Sequence, residues 1–187
     1  MKEDINQALE VLRKGGVILY PTDTVWGIGC DATHSGAVEK IYQIKRREKQ
    51  KGMLVLVDFP GRIDRYVEYM PDIAWDLIDV SEKPLTIIYP QAKNLAHNLV
   101  APDGSIGIRV VKDKFCQQLI TQFKKPVVST SANLSNQQAP ENFKKIDQQI
   151  IDSVDYVVQW KQDETKESVP SGIIKLGSGG EVEVIRE

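Results

Sequence analysis

Cysteine and histidine are scarce. The 187 residues hold two cysteines, Cys30 and Cys116, and two histidines, His34 and His97. None of them shows the close pairing that a zinc site needs, so no protein-bound metal is expected. The thiols read as buried and reduced, which fits the cytoplasm. Long apolar runs are missing too: no stretch approaches the ~18 residues of a membrane-spanning helix, so no membrane is expected as a partner. The N-terminus, "MKEDINQALEV", puts acids where a secretory leader carries bases and an apolar core. An excess of one charge is also absent. Lys and Arg number 24 against 26 Asp and Glu, a net charge of −2, so the molecule as a whole is no general nucleic-acid binder.

Two phosphate motifs fail. No G-x-x-x-x-G-K-[ST] occurs, which removes a P-loop. "GIGCDA" (27–32) matches G-x-G-x-x-A, but six residues separate it from the apolar run ending at Tyr20. A dinucleotide fingerprint must follow its strand directly, so that glycine amides meet the pyrophosphate. A nucleophilic serine is not expected either, since no G-x-S-x-G elbow is present.

What is present alternates. Ile5, Ala8, Leu9 and Leu12 form a helical stripe, stopped by Gly15 and Gly16. Strand-like runs stand at 17–20, 53–57, 85–89, 105–111, 126–130, 154–158, 173–176 and 181–185. Helices are expected from a Ser35 cap onward, between 62 and 80, at 115–123 and at 141–151. This pattern predicts an α/β fold, a twisted open mixed sheet with helices on both faces. No linker or repeat divides the chain, so one domain, 1–187, is expected.

Four stretches carry polar chemistry. "YPTDTVWG" (20–27) gathers Thr22, Asp23 and Thr24 after a buried run. Five bases and one acid crowd positions 45–51; this is either a solvated helix end or an anion site, with phosphate as the natural guest. "PVVSTSANLS" (126–135) runs from an apolar strand into small hydroxyl residues, where open sheets bind ligands. Arg109 interrupts a strand that otherwise reads as buried. It needs a carboxylate or phosphate beside it, from a ligand or from an acid of this chain. The polar stretch 159–172 reads as a surface loop or a lid.

The ordered blocks "YPTDTVWGIGCDA", "KRREKQKG", "KPLT", "SIGIRV", "VVSTSANLS", "PSGIIKL" and "VIR" resemble the YrdC-type threonylcarbamoyl-AMP synthases, from Gly16 to Arg186. The resemblance implies a YrdC-like fold with a large concave basic cavity. It implies synthesis of threonylcarbamoyl-AMP and pyrophosphate from L-threonine, bicarbonate and ATP, with Mg2+ accompanying ATP. The implied partners are threonylcarbamoyl-transfer proteins acting on tRNA, with weak RNA binding. Longer members add a C-terminal domain, which is not expected here. Thr24, Arg109, Ser129 and Ser171 would bind threonine. Lys45, Arg47, Lys51, Ser105, Ser131, Ala139 and Arg186 would bind ATP, and Lys45 and Arg47 would stabilise the phosphates. No covalent nucleophile is implied. Four positions depart from the family pattern: Glu48 replaces a proline, Leu56 a histidine that contacts threonine in some members, Lys83 a glycine and Gly172 a hydroxyl residue. Two rivals remain from the sequence: an RNA-binding module using the same basic cavity, and a carbamoyl-adenylate enzyme of metal-centre maturation.

Overall fold

The computed structural model describes residues 1–48, 52–165 and 169–187. The predicted stripe forms helix α1 (Lys2–Arg13), with Ile5, Ala8, Leu9 and Leu12 buried. It ends where Gly15 turns to φ +71°, a left-handed conformation that costs glycine nothing. Strands β1 (Ile18–Tyr20) and β2 (Gly27–Gly29) and helix α2 (Ser35–Lys45) follow. Strand β3 (Leu54–Val57), a 3-10 turn (Pro60–Arg65), helix α3 (Asp72–Val80), and strands β4 (Leu85–Tyr89) and β5 (Ile106–Val110) come next. Helix α4 (Lys114–Phe123), strand β6 (Val127–Ser131), helix α5 (Gln148–Ser153) and strands β7 (Tyr156–Val157), β8 (Gly172–Leu176) and β9 (Val182–Arg186) complete the order.

The described strands form one nine-stranded sheet, ordered β7-β1-β2-β6-β3-β5-β4-β8-β9. Pairs β1–β7, β3–β5 and β4–β8 are parallel and the others antiparallel, so the sheet is mixed as expected. Alternation along the strands separates two cores. Leu19, Ile28, Val55, Ile87, Ile108 and Val128 pack on one face with Val38 and Ile41 of α2 and Ile150 of α5. Ile18, Tyr20, Leu56, Val111 and Val127 pack on the other with α1 and with Phe115, Leu119 and Ile120 of α4.

Three expectations change. His34, not Ser35, caps α2: its Nδ1 accepts the Ala37 amide hydrogen at 3.0 Å, and Ser35 is the first helical residue. The helix expected at 141–151 is split into a 3-10 turn (Phe143–Lys145) and α5. Asp147 breaks it by capping α5, accepting from the Gln149 amide at 2.8 Å. Strand β2 was not visible in the sequence, because two of its three residues are glycines, which strands disfavour.

Packing explains those glycines. A Cβ on Gly29 would lie 2.5 Å from the Val128 carbonyl oxygen and 2.6 Å from Tyr20 Cε1. Gly29→Ala is therefore expected to destabilise the protein by about 1–3 kcal/mol, lowering Tm by roughly 2–12 °C. Thermal unfolding checks this; an unchanged Tm would mean that β2 can move aside without cost.

Candidate functional site

Helices α1 and α4 cover only part of the second sheet face. Further along that face the same alternating positions line a cavity of about 430 Å3. Leu54 on β3, Thr86 and Ile88 on β4, Gly107 and Arg109 on β5, Ser129 and Ser131 on β6, and Ile173 on β8 are its floor. Each stands an even number of residues from its strand's other floor positions, so the pleat itself aims them into one space. Thr86 is paired with Arg109, and Leu54 with Ser129. Gly107 keeps the floor open, since a Cβ there would meet Thr86 Cγ2 at 3.3 Å and Leu54 Cβ at 3.4 Å.

One end of the cavity is polar. Thr22 Oγ1 donates to the Val25 carbonyl oxygen at 2.8 Å and accepts from the Thr24 amide, which makes the turn after Pro21. Its one hydrogen is thus used, so in the 3.0 Å Thr22–Thr24 hydroxyl contact Thr24 is the donor. Thr24 therefore turns lone pairs to the cavity and suits a ligand donor such as an amine. Thr86 and Ser171 share a hydrogen bond of 2.9 Å between their hydroxyls. Arg109, 3% exposed, lies 3.1 Å from Asp23 Oδ1. Of the two alternatives for this arginine, the structure shows the acid of this chain, Asp23. The ion pair with an acid of this chain is present, yet it lacks hydrogen-bond alignment, and Arg109 Nε has no acceptor among the described residues.

The other end carries Arg47, Gly52, Leu99, Ala101 and Ser105. Arg46 ends α2 in the left-handed region, φ +50°, and so redirects the chain. Arg47 then lines the cavity and donates to the Gly52 carbonyl oxygen at 2.9 Å. Burial lowers its pKa. Ser105 Oγ donates to Asp103 Oδ1 at 2.6 Å. This hydrogen bond, with Lys175 3.0 Å away, holds the Asp103 carboxyl at about 2. Ser105 thus also shows only lone pairs to a ligand. Arg186, on β9, closes the side and donates to the Ser171 carbonyl oxygen at 2.9 Å. The charged lining is Arg47, Arg109 and Arg186, with no Asp or Glu among the described lining residues.

Nine predicted site residues meet in this cavity: Thr24, Arg47, Ser105, Arg109, Ser129, Ser131, Ala139, Ser171 and Arg186. Lys51 lies outside the described residues. Lys45 does not line the cavity, contrary to its expected phosphate contact. It sits on the buried face of α2, one residue before the turn that sends Arg47 outward, and is 1% exposed. Its ammonium donates to the Ser131 and Asn133 carbonyl oxygens. Burial, then the nearby Arg47, pushes its pKa down to about 7. Leu56 is buried against the α1 and α4 core, and Leu54 is the β3 residue that reaches the cavity. Gly172 has room for a side chain: a Cβ there would find its nearest neighbour, Leu85 Cδ1, at an ordinary 3.5 Å. Thr86 was missed as a site residue. Its signal was the "KPLT" block, whose threonine falls on the floor parity.

The stretch 159–172 is anchored at its start. Gln159 donates its amide to Asp4 at 2.6 Å, and Lys161 pairs with Asp113 at 2.9 Å. Residues 166–168, within the stretch expected to be a surface loop or a lid, lie outside the described residues. Pro170 and Ser171 return to line the cavity. The described residues hold no metal-binding cluster, and no described helix is long and apolar enough to cross a membrane.

Comparison with known proteins agrees with this geometry. The Sua5/YciO/YrdC family model, described as "Telomere recombination", matches residues 10–187. The threonylcarbamoyl-AMP synthase of Pseudoalteromonas translucida is 35% identical over 157 residues, 82% of this chain and 84% of that one. That of Psychromonas ingrahamii is 33% identical over 141 residues, 74% of each chain. The crystal structure of E. coli YciO superposes with a TM-score of 0.86 at 25% identity, over 100% of this chain and 90% of that one. With the family match spanning nearly its whole length and the motif blocks gathered on one cavity, the chain belongs to the Sua5/YciO/YrdC family.

Proposed function

We propose that this protein is an L-threonylcarbamoyladenylate synthase. It joins L-threonine, bicarbonate and ATP into threonylcarbamoyl-AMP and pyrophosphate, and so serves threonylcarbamoyladenosine modification of tRNA. Curated relatives at 33–35% identity carry that enzyme name. The observation that carries the substrate assignment is Arg109: a buried guanidinium on the cavity wall whose Nε has no acceptor among the described residues. A free donor of a buried cation is costly, and a ligand carboxylate removes that cost.

The polar end then takes threonine. Arg109 holds its carboxylate, Thr24 accepts from its nitrogen, and Ser129 and Ser171 line the side-chain space. The other end takes ATP. Ser105, presenting lone pairs only, selects a donor such as a ribose hydroxyl or the adenine amine and turns phosphates away. Arg47, Lys51 and Arg186 serve the phosphates, and Ser131 and Ala139 contact the nucleotide. Mg2+ bound to the triphosphate would screen its charge; the described lining offers it no carboxylate, so phosphate and water oxygens would hold it.

The threonine nitrogen and bicarbonate form a carbamate with loss of water. A carbamate oxygen bonds to the α-phosphorus, the bond from that phosphorus to the bridging oxygen breaks, and pyrophosphate leaves. The protein contributes alignment and cationic stabilisation of the crowded phosphorus, with no covalent nucleophile. The product is a reactive mixed anhydride. A transfer protein must therefore take it to tRNA before water does, and weak RNA contact belongs to the same reading.

Pyrophosphate release from ATP tests the assignment. Release is expected only with L-threonine and bicarbonate both present. Equal release without threonine would sink it.

A further inference from the structure

The basic run reads in the sequence as a row of phosphate ligands, yet two of its members go opposite ways. Arg47 enters the cavity, while Lys45 passes beneath the end of β6. There the Lys45 ammonium lies between the Ser131 and Asn133 carbonyl oxygens, 2.6 Å from the latter. The Ser135 amide donates back to the Lys45 carbonyl oxygen at 2.9 Å. Three hydrogen bonds thus fasten residues 131–135 to the last turn of α2. Asn133 continues the fastening, donating to the Leu134 and Gln137 carbonyl oxygens at 2.8 Å. Ser131 and Ala139, at the two ends of this loop, both line the cavity.

Two carbonyl oxygens aimed at one point repel each other, and N–H donors placed between them, from the charged or the neutral amine, remove the repulsion. The same arrangement turns their lone pairs into the protein and away from the cavity, which favours an anionic guest. We propose that Lys45 is a positioning residue of the nucleotide end: it shapes the loop from Ser131 to Ala139 and does not itself touch phosphate. This inference rests on the nucleotide reading of the cavity. It divides Lys45 and Arg47 into one residue that builds the site and one that contacts the ligand.

A double-mutant cycle on ATP affinity, measured by calorimetry, tests it. Lys45→Met keeps the apolar stem and removes the donors. Its ATP affinity is expected to fall roughly ten- to hundredfold, as for a misplaced binding group. Adding Ser131→Ala to it should then change little, within about threefold, because the Ser131 contact is already lost. Two results overturn the proposal: losses that multiply independently, or an unchanged affinity in Lys45→Met. If Lys45→Met does not fold, Lys45→Gln replaces it and the cycle is read in the same way. Wild-type protein that binds no ATP would overturn the nucleotide reading instead.

Discussion

Arg47→Ala is expected to slow pyrophosphate formation by roughly 30- to 1000-fold, about 2–4 kcal/mol of transition-state stabilisation. Arg47 is half-buried at the cavity wall, and α2 ends one residue earlier in a left-handed turn that delivers it there. Its hydrogen bond to the Gly52 carbonyl oxygen helps to fix the side chain in place. A fixed cation meets charge developing on phosphate oxygens with no reorganisation, which is why the loss should fall on the chemical step. Lys49→Ala, from the same basic run, is the comparison and should cost little. Single-turnover rates of the two variants decide the matter. Similar small losses at both positions would reduce the run to a solvated helix end.

Arg109→Lys should raise the threonine KM roughly ten- to hundredfold, the worth of one charged hydrogen bond of about 1.5–3 kcal/mol. A lysine keeps the charge that faces Asp23, so the fold should survive. It lacks the planar fork that grips a carboxylate with two parallel bonds. ATP affinity should stay near the wild-type value, because Ser105 and Arg47 stand at the other end of the cavity. If Arg109 served only its pair with Asp23, the swap would lower Tm and affect both substrates alike. A threonine KM that does not move would remove Arg109 from the carboxylate site.

The sequence was most legible where one period governs a segment. The 3.6-residue stripe of α1 and the apolar runs of β3, β4 and β5 report their burial directly. It was least legible where a distant neighbour decides. Nothing local marks "GIG" as a strand; Gly29 is glycine because Val128 and Tyr20 crowd it from elsewhere in the sheet. The cavity followed the same division. Family blocks held eight of the nine predicted residues that line it, and Ala139, between two blocks, came from the resemblance alone. The direction of Lys45 could not be read, because it depends on which face of α2 is buried and on the turn at Arg46. Arg109 raised the question of its partner in the sequence, but that Asp23 is beside it and that Nε lacks an acceptor among the described residues depends on the folded positions.

Among the described residues, strand β9 has a single hydrogen-bonded neighbour, and all five of its residues are exposed. An element held so lightly frays at far lower free energy than the core strands beneath it. Arg186 rides on that strand, and its bond to the Ser171 carbonyl ties the fringe to the cavity mouth. The side of the cavity that β9 carries is therefore expected to open at lower free energy than the floor, with faster amide exchange at β9 than at β3 and β5.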